Sequence, residues 1–211
     1  MEDMCVISAL EPQKKKQNRY NVFIDGEYAC SLSADSCVVF DIKAGKQICE
    51  DELKQAVMSD NTQYAFDSAV NLISFKMRTR SEIFEKLLNR KIDEQAIEAA
   101  LEKLENYGYV NDRDYAAEYV RSAMNSGRYG KRVIEFKMKQ KGIDDDVIEQ
   151  ALQIYTPDEE KQMARKLLVS LRRKYQDEDD FKKRRKIFSG LARRGFDYDI
   201  INTLLSEENE D

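Results

Sequence analysis

One kind of chemistry recurs at three places in the chain. Arg78 and Arg80 precede the apolar pair Ile83/Leu87. Arg128, Lys131, Arg132 and Lys137 surround Ile134/Met138, and "KKRRK" (Lys182–Lys186) runs into Ile187/Leu191. Clustered lysine and arginine bind phosphate oxygens and carboxylates, lysine as a point charge and arginine as a planar fork. A single cluster of this kind is usually a solvated helix face. Recurrence at matching positions in three copies points instead to a stripe that contacts phosphates or acidic protein surface. Tyr129, between Arg128 and Gly130 in an expected loop, is placed for surface contact.

Other chemistries are poorly served. The chain has 211 residues and no histidine. Every Ser-His-Asp or Cys-His arrangement is therefore excluded, as is a Cys/His zinc site. Cys5, Cys30, Cys37 and Cys49 form no C-x-x-C pair and read as small core residues. No glycine-rich phosphate loop is present. The expectation is no catalytic residue, no cofactor and no metal. No signal-like or long apolar run is visible, so a cytoplasmic chain with no membrane contact is expected. Net charge is -5, distributed as -4 over residues 1–60, -1 over 61–155 and 0 over 156–211. The repeats are thus nearly neutral, with their cations gathered around each second helix and their acids behind it.

The elements that position these residues can be read from periodicity. Charged residues make up 36% and only 8 Gly and 2 Pro occur, which favours a polar, mainly helical protein. Near the N-terminus, "VISAL" (Val6–Leu10) and "RYNVFIDGEYACSL" (Arg19–Leu32) read as strands, with Asp25-Gly26 as a tight hairpin turn. A small three-stranded sheet is expected. "KKKQNR" (Lys14–Arg19) is a basic loop, read as a solvated turn with a phosphate contact as the functional alternative. Helical spacing begins near Glu50, and Asp60-Asn61 is expected to interrupt it.

From there one pattern is written three times. The anchors Ile92, Ile143 and Phe196 are each followed by aspartate: Asp93, Asp144 and Asp197. An apolar helical face follows each one. The aspartates suit a helix N-cap, and the Lys141-Gly142 and Arg194-Gly195 pairs suit a helix stop. With a further helix upstream, each copy is a three-helix unit. The expected boundaries are 1–48 for the small β region, 49–66 for a linker helix, then 67–109, 110–156 and 157–211 for the three repeats. The last includes the acidic tail "SEENED". Tyr107 and Tyr109 are read as structural aromatics at the junction of the first two copies, with Gly108 ending a helix there and Asn111 or Asp112 capping the next.

The stretches "RTRSEIFEKLLNRKI", "ALEKLENYGYVNDRDYAAEYV" and "GRYGKRVIEFKMKQKGI", within Arg78–Leu152, resemble the RecX family, bacterial regulators of the RecA recombinase. Asp158–Leu205 is similar more loosely, and the N-terminal region resembles an extension found in part of the family. The resemblance implies three tandem three-helix repeats in an elongated, curved array and no catalysis. It implies binding in the groove of the RecA–single-stranded DNA filament. It further implies modulation, expected to be inhibition, of RecA ATP hydrolysis, strand exchange and co-protease activity in recombination, repair and the SOS response. A monomer is expected. The contact residues are expected to be Arg78, Arg80, Arg128, Lys131, Arg132, Lys137, Lys183, Arg184 and Arg185, with Tyr129 beside them. The alternative is a stand-alone helical DNA-binding protein that needs no recombinase. Its acidic N-terminal region speaks against it.

Overall fold

In the computed structural model, which describes residues 4–14 and 18–207, the N-terminal part forms an antiparallel sheet. Its strands are β1 (Met4–Pro12), β2 (Arg19–Ile24), β3 (Glu27–Ser33) and β4 (Gln47–Cys49), in the order β3-β2-β1-β4. Among the described residues there are thus four strands rather than three. β4 pairs only Gln47–Cys49 with Met4–Val6, a stretch too short to show alternation. A short helix, α1 (Ala34–Val39), precedes it. The hairpin turn is as expected: Asp25 and Gly26 take φ of 51° and 89°, the pair of positive angles a type I′ turn needs. Ile7, Val22, Leu32, Ile42, Ile48 and Ala56 form the core beneath the sheet.

Ala56 belongs to α2 (Glu50–Ile73), which runs without a break through Asp60-Asn61. The expected interruption fails because Asp60 is not a solvent-facing helix breaker. It is 3% exposed. Its carboxylate accepts from Arg19 Nη2 at 2.8 Å, Ser33 N at 2.9 Å and Ser36 Oγ at 2.8 Å. Burial alone would raise this carboxyl, but the bonds from Ser33 and Ser36 and the Arg19 charge outweigh it and hold the group below the usual aspartate range. Asp60 therefore ties the helix to the sheet. The same contacts occupy Arg19, the last residue of the basic loop. Lys15, Lys16 and Gln17 of that loop lie outside the described residues.

The remaining helices are α3 (Arg80–Leu88), α4 (Glu94–Asn106), α5 (Asp112–Ser126), α6 (Lys131–Lys139), α7 (Asp145–Leu152), α8 (Pro157–Lys174), α9 (Asp180–Ala192) and α10 (Tyr198–Glu207). The chain divides into two compact units. One comprises residues up to Lys76 with Ile83–Tyr109; the other comprises Met77–Glu82 with everything from Val110 onward. In the first unit α2 packs on α4, and the small buried residues Ala65, Ser68 and Ala69 allow a close approach. In the second unit α5–α7 close over Val120, Ile134, Met138, Ile148 and Tyr155. Helices α8–α10 close over Leu168, Ile187, Leu191, Phe196 and Ile201. Each such side chain contributes roughly 1.5–3 kcal/mol on burial. Asp93 and Asp197 accept first-turn N–H bonds, from Ala96 N at 3.1 Å and Asp199 N at 2.9 Å. Asp144 takes the same position without that bond.

Two joints in the second unit share one design. The first four N–H groups of a helix have no partner within it. At the start of α3, Arg80 N donates to Asp112 Oδ1 at 2.9 Å and Thr79 Oγ1 donates to the Lys141 carbonyl at 2.7 Å. At the start of α6, Lys131 N donates to Glu160 Oε1 at 3.0 Å and Gly130 N to the Arg194 carbonyl at 2.8 Å. At these two joints the start of α3 or α6 is thus capped by a carboxylate on the first helix of the following copy. It rests on that copy's turn. The turn glycines have two reasons to be glycine. Gly142 and Gly195 take φ of 70° and 80°. A Cβ on Gly142 would also lie 2.4 Å from Ser81 Cβ, and one on Gly195 2.4 Å from Val133 N. The matching residue of the first copy is Lys91, which takes φ of 62° and is exposed.

Candidate partner interface

The cations singled out from the sequence are carried on different parts of the second unit. Arg78 and Arg80 are half-buried in the segment that opens α3. Arg128 and Tyr129 lie in the loop before α6 and line a groove of about 520 Å³ with Lys166 and Arg194 over Met124, Met163 and Leu167. Lys137 sits 3.7 Å above the Tyr129 ring centroid, a cation–π contact. Lys131 is exposed beside the same joint. Lys183 and Arg184 line a separate groove of about 530 Å³ with Arg172 and Phe181.

Aromatic and basic side chains also gather on α8–α10. A groove of about 740 Å³ is lined by Lys174, Tyr175, Arg185, Lys186, Phe188, Arg193 and Tyr198. Phe188 and Tyr198 stack with centroids 5.9 Å apart and planes 2° from parallel. Arg132 reaches over from the start of α6. Its Cζ lies 4.6 Å from the Tyr198 centroid, and its Nη2 donates to Asp197 Oδ2 at 3.1 Å. Lys174 and Lys186 flank the Tyr175 ring at 5.4 and 5.5 Å, and Lys186 also pairs with Glu178. Flat ring faces next to exposed guanidinium groups can stack planar groups and bind anions at once. Arg132 and Arg185 were legible as candidates. Tyr175, Phe188 and Tyr198 were not, although each lies within a few residues of a basic run, which was the signal available.

Two carboxylates sit at the joints themselves. Burial pushes the carboxyls of Asp112 and Glu160 up, against the lowering effect of the backbone N–H bonds from Arg80 and Lys131. Tyr107 and Tyr109 are 66% and 60% exposed and form a surface cluster with Phe66, 6.1 Å from Tyr107. Among the described residues, no group of His, Cys, Asp and Glu is arranged to hold a metal, and no helix is long and apolar enough to cross a membrane.

Four family profiles match this chain in order. They are the regulatory protein RecX N-terminal domain over residues 5–49, and the RecX first, second and third three-helix domains over 65–104, 111–152 and 158–205. The chain belongs to the RecX family. It is 33% identical over 211 residues to the regulatory protein RecX of Bacillus velezensis, covering 99% of this chain and 80% of that one. It is 34% identical over 203 residues to that of Levilactobacillus brevis, covering 96% and 76%. A crystal structure of regulatory protein RecX superposes with a TM-score of 0.73 at 30% identity, covering 96% of this chain and 99% of the other. RecX from Lactobacillus salivarius superposes at 0.67 and 34% identity, covering 72% and 99%. The RecX relatives are named as regulatory proteins. The N-terminal sheet, whose motif was the least specific in the sequence, is part of the family match.

Proposed function

We propose that this RecX-family chain is a non-catalytic cytoplasmic regulator that binds the RecA–single-stranded DNA filament as a monomer. It inhibits RecA ATP hydrolysis, strand exchange and co-protease activity. The observation that carries the reading is the groove of Tyr175, Phe188 and Tyr198 framed by Lys174, Arg185 and Arg193, on a chain of a regulatory family. Such a groove suits a single strand, whose bases stack while its phosphates meet cations. Arg78, Arg80, Arg128, Lys131, Arg132, Lys137, Lys183, Arg184 and Arg185 supply further contacts to DNA or to acidic protein surface. Linked copies add several weak contacts as avidity along a filament.

The test is recombinase ATP hydrolysis on single-stranded DNA, titrated with this protein beside a binding titration on the same DNA alone. Inhibition at concentrations where naked DNA is barely bound is expected. Unchanged hydrolysis with tight, salt-sensitive binding to naked DNA would overturn the proposal in favour of a stand-alone DNA-binding protein.

A further inference from the structure

The turn before each anchor has a basic residue and then the residue at positive φ: Arg90-Lys91, Lys141-Gly142 and Arg194-Gly195. In the second and third copies both positions are engaged. Gly142 and Gly195 lie against Ser81 of α3 and Val133 of α6. Lys141 Nζ pairs with Glu82 at 2.6 Å, and Arg194 Nη1 donates to the Gly190 carbonyl at 3.1 Å. The first copy keeps neither arrangement. Lys91 holds φ of 62° with a full side chain, an angle that glycine adopts freely and an L-residue only at a cost. Arg90 and Lys91 are both exposed, and among the described residues neither side chain has an acid or a hydrogen-bond partner. A side chain kept at a strained backbone angle, where the sister copies use glycine, points to a use for that side chain.

Both cations open onto a groove of about 430 Å³ in the first unit, which Gln13, Arg19, Ser31 and Asn61 also line. Its donors can be accounted for one by one. On the sheet side Gln13 Nε2 donates to Asn21 Oδ1 and Ser31 Oγ, each at 2.8 Å, and Ser31 Oγ donates to Asn21 Oδ1 at 2.9 Å. Arg19 is committed to Asp60 and to the Ser31 carbonyl. The half-buried Asn61 amide has no partner among the described residues. Asp93 is the one carboxylate among the described lining residues, and it accepts from Ala96 N at 3.1 Å. The open donors are therefore the Arg90 guanidinium, the Lys91 ammonium and the Asn61 amide. Of the apolar lining, Ile92 is buried, which leaves the Tyr64 ring and no aliphatic anchor for a docked protein segment. Lys14, next to Gln13 in the chain, is exposed and opens the basic run that reads as a solvated turn or a phosphate contact.

We propose that this groove binds the phosphodiester backbone of a nucleic acid, with Arg90 and Lys91 on phosphate oxygens and Asn61 donating beside them. Arginine, lysine and amide side chains are the usual phosphate partners, and such contacts need no apolar floor. The site belongs to the first unit. It is distinct from the aromatic groove on α8–α10 and from the cations assigned above, and it does not depend on a recombinase.

The test is fluorescence anisotropy of a labelled oligothymidine, titrated at low salt and then over a salt series with the full chain and its Arg90→Gln/Lys91→Gly variant. On a single strand each phosphate contact contributes about 0.7 to the slope of log affinity against log salt, so losing two should flatten it by about 1.4. Weaker binding with that flattening is expected. An unchanged slope, or no binding by the parent at the lowest salt, overturns the proposal. Lys91→Gly alone checks that the loss is not structural: glycine accepts the turn's angle, so this variant should melt no lower than the parent while binding the strand more weakly. A lower melting temperature would mean that Lys91 serves the fold, and would overturn the proposal. Inorganic phosphate, compared with chloride at equal ionic strength, separates a nucleic-acid backbone from a free ion. If phosphate displaces the strand from the parent better than chloride does, and this advantage vanishes in the double variant, the groove is a site for free phosphate and the backbone assignment fails. The assay contains no recombinase, so its outcome is separate from that of the proposed function.

Discussion

Gly195→Ala adds one methyl group to the turn beneath α6, and its cost separates two reasons for glycine there. The first is the backbone. Gly195 has φ of 80°, and a left-handed conformation costs an L-residue about 1–2 kcal/mol. The second is the joint. The new Cβ would lie 2.4 Å from Val133 N and 2.7 Å from Val133 Cγ2. Backbone cannot yield as a flexible side chain can, so α6 must shift, and overpacking of this kind costs about 1–3 kcal/mol. The shift would also stretch the bonds from Gly130 N to the Arg194 carbonyl, now 2.8 Å, and from Arg132 N to the Gly195 carbonyl, now 3.2 Å. Gly127, in the same unit, isolates the first cost: its φ is 60° and nothing lies within 4 Å of a Cβ built there. Gly195→Ala should therefore be less stable than Gly127→Ala by about 1–3 kcal/mol. In urea unfolding followed by far-ultraviolet circular dichroism, a slope of about 2 kcal/mol/M turns that into a midpoint lower by about 0.5–1.5 M. Equal midpoints for the two variants would show that only φ demands glycine, and the account of the joint would be wrong.

Asp60→Asn should destabilise the first unit by about 2 kcal/mol at neutral pH, since Arg19 then loses its charged partner. The sign with pH follows from a folded carboxyl held below its ordinary value: its contribution is full above the usual aspartate range and is lost as pH falls through the folded pKa. The variant should flatten the acid limb of a dichroism–pH curve, and an unchanged limb would refute this. Glu160 has the opposite sign. Its folded carboxyl is raised by burial and by the nearby Asp197 charge, which together outweigh the lowering effect of Lys131, so it favours folding at low pH and loses that advantage as pH rises through the folded pKa. Thermal melts should show Glu160→Gln gaining on the parent from acidic to neutral pH; a constant gap would sink the assignment. Burial, with Cys37 and Asp60 nearby, pushes the Cys30 thiol up to about 11. Its alkylation by iodoacetamide at mildly alkaline pH should be about a hundredfold slower than that of an ordinary thiol, through the smaller thiolate fraction; comparable rates would contradict it.

The helical repeat was legible because its signal is local and redundant. Ile83, Leu87, Ile134, Met138, Ile187 and Leu191 are each 2% exposed or less, as their spacing requires. The Asp25-Gly26 turn was legible because few residue pairs accept two positive φ angles. Asp60 was misread because propensity sees a polar helix interruption, whereas its partners Arg19, Ser33 and Ser36 are brought together only by the fold. β4 was missed for the same reason: three residues carry no periodicity, and their pairing with β1 is a long-range event. For the interface, the cations were visible as a repeating set. Their distribution among separate grooves was not, because it depends on how α6 and α9 begin. The aromatic groove joins Arg132 to Tyr198 across a joint that no spacing rule describes.

The paired features of the joints also make the copies non-interchangeable. A turn bearing glycine can lie beneath another copy, as at Gly142 and Gly195. The Lys91 turn carries a side chain at the same backbone angle and so has no room for backbone pressed against it. A second helix that starts like α3 or α6 needs an acid from downstream; one that starts like α9 does not. Tandem duplication in such a chain therefore has a direction. An added unit with a glycine turn and an acid opening its first helix could be spliced behind the first or second copy. The same insertion built on the Lys91 turn would leave the helix before it with bare N–H groups and a steric block. A handful of residues thus serves as a syntax for the order of the copies, and shuffled-repeat variants would read it out.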